Sequence, residues 1–181
     1  MKNISKTDET HLKIIRENVR KFIAKHAAVR DRPGSHLLDI APQNHEGAKP
    51  FFHHSIVETL DINPKSNATY IADLCRDNSA IISNQLFDVV VCTEVLEHVL
   101  NPFSAVSEIL RILKPGGIVL VSTPFNFRIH GPLPDCWRFT EHGLRSLFNK
   151  ESGYKILELD SLEDPNRFLM PIHYSLCAKK I

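Results

Sequence analysis

The stretch Leu86-Phe87-Asp88-Val89-Val90-Val91-Cys92-Thr93-Glu94-Val95-Leu96-Glu97-His98 constrains this chain most. Val89 to Cys92 is an unbroken apolar run, the pattern of a strand buried on both faces of a parallel sheet. At its carboxyl end stand Thr93, Glu94, Glu97 and His98. A helical turn starting at Glu94 would put Glu94, Glu97 and His98 at i, i+3 and i+4, on one face. Open α/β sheets bind ligands outside the carboxyl ends of their strands, so this cluster is a candidate site on position alone. The competing reading is a polar helix start that caps and solvates itself.

The flanking sequence repeats the theme. His36 to Ala41, Ile56 to Ile62 and Ala68 to Asp73 read as short strands, with Asp39, Asp61 and Asp73 at or near their ends. Each aspartate alone also suits a turn. Asp61 lies 22 positions after Asp39, close to the ~20-residue spacing that places a carboxylate on ribose hydroxyls in nucleotide-binding α/β folds. Asn101 and Pro102 open a helix with Phe103, Val106, Ile109, Leu110 and Leu113 as its apolar stripe, and Lys114-Pro115-Gly116-Gly117 stops it. Ile118 to Val121 is the next buried strand. Thr140 caps a helix over Glu141 to Asn149, and Lys155–Leu159 with His173–Ala178 alternate like an antiparallel edge hairpin. Such alternation of strands with helical or looped connections means α/β with a parallel core.

Residues 8 to 29 carry Leu12, Ile15, Val19, Phe22 and Ile23 at helical spacing. This is an amphipathic helix packed on the domain edge, or a lid over a ligand. The 181 residues suit one domain, with residues 1–30 as this helical segment and 31–181 as the α/β core. A formal charge of +1 gives no push toward nucleic acid or an anionic membrane. No apolar run approaches the ~20 residues of a membrane span, and the first residues lack the apolar centre of a signal peptide. Cys75, Cys92, Cys136 and Cys177 form no CxxC pair. We therefore expect a cytoplasmic protein with reduced thiols; its oligomeric state is not legible.

Phe87-Asp88-Val89-Val90, Glu94-Val95-Leu96-Glu97-His98, Leu113-Lys114-Pro115-Gly116-Gly117 and the run His130 to Thr140 together resemble the class I S-adenosylmethionine-dependent methyltransferases, in particular their small single-domain, type 11-like group. The resemblance covers residues 36 to 180 and implies a Rossmann-like, doubly wound, mostly parallel seven-stranded sheet with an antiparallel edge hairpin. It implies S-adenosylmethionine as cofactor, with Asp61 and the adjacent Ile62 at the ribose, Asp73 and Leu74 at the adenine, and Thr93 and Glu94 at the methionine part. Asp39 and Ala41 would belong to the first cofactor loop. That loop is glycine-rich in the family, whereas Ala41 and Pro42 stand here. Either the loop takes another path, using Gln43, Asn44 or His45, or cofactor binding is weakened or lost.

Methyl transfer to a hydroxyl requires alignment of acceptor and sulfonium and removal of a proton. His130 is the first candidate base, His98 the second, and Asp135 an orienting acid for either. Trp137 and Arg138 are candidates to line an acceptor pocket. The acceptor expected from the resemblance is a sugar or other small molecule. No metal is required in this reading. In the alternative, Glu94, Glu97, His98 and His130 resemble the ligand set of small-RNA 2′-O-methyltransferases, and Mg²⁺ or Mn²⁺ would polarise the hydroxyl. The missing basic patch argues against RNA. A third reading is a methyltransferase-like fold that has lost turnover and binds a partner.

Overall fold

One sheet of seven strands runs in the order β3-β2-β1-β4-β5-β7-β6. The strands are β1 (His36–Ile40), β2 (Ile56–Asp61), β3 (Tyr70–Ile71), β4 (Phe87–Thr93), β5 (Leu113–Pro124), β6 (Tyr154–Leu162) and β7 (His173–Lys180). In this computed structural model, residues 4–42 and 47–181 are described. Strands β1 to β5 pair in parallel, while β7 runs antiparallel to both β5 and β6. The expected α/β class, parallel core and antiparallel edge pair are all present.

The apolar run of β4 is divided between two cores, as the alternation of side chains along a strand demands. Val90 and Cys92 join one cluster with Ala105, Val106 and Ile109 of α2 (Pro102–Ile112) and Leu144 of α3 (Glu141–Leu147). Val89 and Val91 join the other, with Phe22, Ile23 and Ala27 of α1 (Lys6–Arg30). Helices therefore cover both faces of the sheet. Burial of each large side chain is worth ~1.5–3 kcal/mol. The caps follow the sequence: Ser5, Asn101 and Thr140 accept from the backbone N–H of Asp8, Ser104 and Gly143. Cys92 and Cys177 are buried free thiols.

Four expectations need correcting. No helix begins at Glu94: residues 94–100 are bends and turns, because Glu94 takes a left-handed φ of +55° that a helix cannot continue. The third strand contracts to Tyr70–Ile71, paired with Leu60 and Asp61, and a turn closed by the Arg76 N–H on the Asp73 carbonyl follows it. The helix after Thr140 ends at Leu147 instead of Asn149. Lys114–Gly117 does not stand outside the sheet but belongs to β5, where the register against β4 shifts between Phe87 and Val89. Gln43, Asn44 and His45 lie outside the described residues.

Candidate active site

The chain leaves β4 at Thr93 and reverses on Glu94, whose backbone N–H donates to the carbonyl of Ser122 at 3.0 Å. Left-handed geometry costs a non-glycine residue about 1–2 kcal/mol, and here it aims the side chain toward β5 and β7. Glu94 Oε1 accepts from Ser122 Oγ at 2.8 Å and meets His173 Nε2 at 2.7 Å. His173 Nδ1 in turn meets Asn18 Nδ2 of α1 at 2.9 Å. Burial alone would push the Glu94 carboxyl up, but His173 and Ser122 more than offset it and hold it below its ordinary value.

Glu97 behaves in the opposite way. Its side chain is fully buried, neither carboxylate oxygen has a hydrogen-bond partner among the described residues, and burial with the nearby Glu94 charge pushes its pKa well up. Two imidazoles face it. His98 Nε2 lies 3.7 Å and His130 Nε2 3.8 Å from Glu97 Oε1. The other nitrogen of each ring is occupied: His98 Nδ1 contacts the Pro134 carbonyl at 2.9 Å, and His130 Nδ1 lies 3.1 Å from Asp135 Oδ2 and 3.3 Å from the Arg128 carbonyl. Because those partners only accept, each Nδ1 carries a hydrogen, and Nε2 is the nitrogen that each ring turns toward Glu97.

Asp135 is held at the base of this cluster. It receives the His130 backbone N–H at 2.9 Å and Arg138 Nη2 at 2.8 Å. Burial opposes its charge, yet the Arg138 hydrogen bond, the His130 N–H and the neighbouring charges bring its pKa down to about 2. The His130 pKa is lowered, first by burial, so the ring is neutral near pH 7. Arg138 thus serves Asp135. Trp137 donates its indole N–H to the Val99 carbonyl at 2.8 Å and stacks on Phe139. Neither Trp137 nor Arg138 lines the cavity described next.

A cavity of about 610 Å³ opens over this strand end, within the range of small-molecule sites. Asp39, Ala41, Thr93, Glu94, His98 and His130 all line it, and α1 closes it from outside with Leu12, Ile15 and Val19. The first loop keeps the geometry that glycine normally supplies, because Ala41 sits at φ +51°. Gly47, at φ +58°, is where space is tightest: a Cβ there would stand 2.1 Å from Asp39 Oδ2. Asp39 is buried and accepts from the Ala48 N–H at 2.7 Å. Burial outweighs that bond and raises its pKa to about 6.

The remaining candidates lie outside the lining of this cavity. Asp61 accepts from Asn63 N at 2.8 Å and Asp73 from Cys75 N at 2.9 Å, both closing turns at the ends of β2 and β3. Ile62 is exposed, and the Leu74 side chain belongs to the core. Sequence reasoning missed Asn18, Ser122, His173 and Gly47. Asn18 carried a signal, since it lies three residues from Ile15 and four from Phe22, a spacing that ordinarily holds an apolar residue.

A methyltransferase domain family matches residues 11–159. The chain belongs to the class I S-adenosylmethionine-dependent methyltransferases. Among solved structures, this methyltransferase resembles the SAM-dependent methyltransferase of Methanosarcina mazei, with a TM-score of 0.64, 17% identity, 86% of this chain covered and 96% of the other. It also resembles the S-adenosylmethionine-dependent methyltransferase of Mesorhizobium loti, at 0.64, 15%, 86% and 95%. Among curated proteins, the ubiquinone biosynthesis O-methyltransferase of Rickettsia canadensis is 38% identical over 69 residues, which is 38% of this chain and 29% of that protein. The match spans less than a third of the length of such relatives. S-adenosylmethionine is the cofactor of this family, and the residues present fit it: an open strand end, acids around a cavity, and a glycine where a Cβ would fill the cradle. No helix among the described residues is long and apolar enough to cross a membrane.

Proposed function

We propose that this chain transfers the methyl group of S-adenosylmethionine to a hydroxyl of a small molecule or glycan. The observation that carries this reading is the joint placement of Thr93 and Glu94 with His98 and His130 around one cavity. The O-methyltransferase relatives support an oxygen acceptor. Asp39, Ala41, Thr93 and Glu94 contact the cofactor from the cavity wall, while Asp61, Ile62, Asp73 and Leu74 serve its adenosine from the ends of β2 and β3. The acceptor oxygen attacks the methyl carbon in line, the carbon–sulfur bond breaks, S-adenosylhomocysteine leaves, and the hydroxyl proton passes to His130 Nε2. Asp135 fixes the His130 tautomer that makes this possible. His98 is the second candidate base.

One observation favours a second reading of the same cluster. A buried carboxylate with no hydrogen-bond partner among the described residues, facing two imidazole Nε2 atoms, is an expensive arrangement unless a proton or a cation completes it. The ligand atoms of Glu97, His98 and His130 lie within 4.8 Å of one another. These residues would hold a divalent ion, with Glu94 committed instead to Ser122 and His173. Two nitrogen donors suit Mn²⁺ better than Mg²⁺. Such an ion supplies Lewis-acid polarisation of the acceptor hydroxyl.

Calorimetry with S-adenosylhomocysteine, then turnover with hydroxyl acceptors against Mn²⁺ and Mg²⁺ concentration, tests both readings. Binding with metal-independent turnover supports His130 as base. Turnover that chelation removes and Mn²⁺ restores supports the cation. No binding of S-adenosylhomocysteine would make the chain a partner-binding module.

A further inference from the structure

We propose that Asn18 is a positioning residue: from α1 it fixes which nitrogen of His173 carries the proton, and so holds Glu94 ready for the cofactor. The inference rests on the reading that the cofactor binds beside Glu94. His173 opens β7 on the face of the sheet covered by α1 and is fully buried. The Asn18 amide nitrogen, 2.9 Å from Nδ1, can only donate, so Nδ1 must offer a lone pair. The ring hydrogen then sits on Nε2 and points at Glu94 Oε1, 2.7 Å away. Ser122 donates to the same oxygen. Oε1 is thereby fixed by two donors, and neither bond uses Oε2.

The relay links two events that sequence keeps 155 residues apart. The helix that supplies Leu12, Ile15 and Val19 to the cavity wall also supplies the donor that sets His173. A helix lifted away from the sheet therefore opens the cavity and releases the Glu94 carboxylate together. Among the described residues, the charged or titratable groups facing the relay are Glu94 from the end of β4, with His130, Glu97 and Arg138 on the far side of that carboxylate. Ser122 of β5 and Asn18 of α1 are uncharged, and the ladder partners of His173, Pro124 and Leu162, do not titrate.

The test reads the tautomer first and affinity second. Nitrogen-15 NMR of the ligand-free wild type, with His173 assigned through His173→Gln, should show a neutral ring with hydrogen on Nε2. Asn18→Asp offers an acceptor instead and should drive a hydrogen onto Nδ1, giving an imidazolium. Asn18→Leu removes the donor. Its affinity for S-adenosylhomocysteine should fall roughly 5- to 10-fold, the equivalent of one neutral hydrogen bond. Thermal unfolding of both variants checks the fold, and Asn18→Asp decides the matter where Asn18→Leu does not fold. Hydrogen on Nδ1 in the wild type, or wild-type affinity in the folded variants, overturns the proposal. A wild type that binds no S-adenosylhomocysteine overturns the cofactor reading and this role of Asn18 with it. Wild-type binding with unaltered variants overturns only the role of Asn18.

Discussion

The two halves of the site edge are built on different principles. At the ends of β2 and β3, Asp61 and Asp73 are satisfied by N–H groups two residues away. At the end of β4, Glu94 takes its donors from Ser122 and His173, 28 and 79 residues away. Glu97 takes none. The local half is a set of turns that can form early and stay close to its unbound state. The distant half concentrates opposing charges at low exposure, where each group moves its neighbour's proton affinity. An acid satisfied by its own loop is chemically quiet, and one left buried and bare is poised for a proton or a cation.

Variants on each side should separate binding from chemistry. The largest effect is expected from the β4 side: His130→Ala should lower turnover by ~10²–10⁴ while affinity for S-adenosylhomocysteine stays within a few-fold. Equal losses in both would dissolve the distinction between the halves.

Asp39→Asn comes next and reads the first loop through pH. The Asp39 pKa is raised on folding to about 6, so its contribution to stability is complete below about pH 4 and is lost as pH rises to about 6. At ~1.36 kcal/mol per pKa unit the change is roughly 2–3 kcal/mol. Denaturant unfolding from pH 3.5 to 7 should show this decline in the wild type and a flatter profile in the variant. Identical profiles would mean the carboxyl is not the titrating group.

Gly47→Ala places a Cβ against Asp39 Oδ2 and Pro42 Cβ. It should cost roughly 1–3 kcal/mol of stability and weaken cofactor affinity in the same preparation. Wild-type affinity there would remove the Asp39–Gly47 contact from the binding site. The smallest effect is Ala41→Gly, which relieves a left-handed alanine but loosens the unfolded chain. Thermal unfolding should show a gain of ~0–1 kcal/mol, without loss of cofactor affinity. A marked loss would show that alanine is itself a working part of the loop.

The architecture was legible because its signals are local. The run Val89–Cys92, the caps Asn101 and Thr140, and the alternation in the last two strands each report a periodicity or a single N–H. The strand-end acids were legible as positions but not as partners. Nothing near Glu94 announces a positive φ, because a glutamate is an unusual choice for it and the strain is sustained by bonds to β5 and β7. The helical face drawn through Glu94, Glu97 and His98 therefore failed, while the grouping of Glu97 with His98 and His130 survived it, since a turn and a folded-back loop bring those rings together by another route. Ala41 shows the converse: the residue departs from the family pattern, yet the backbone keeps the left-handed form that glycine usually provides.

The position of β7 between β5 and β6 has a kinetic consequence. The chain makes β6 before β7, so β6 has no sheet neighbour until the later strand slots in between. Such non-local pairing is slow because loop closure precedes its reward. His173 is the first residue of that inserted strand. A folding chain should therefore bury its parallel core well before His173 reaches Glu94, and pulse-labelled amides of β4 should gain protection ahead of those of β7.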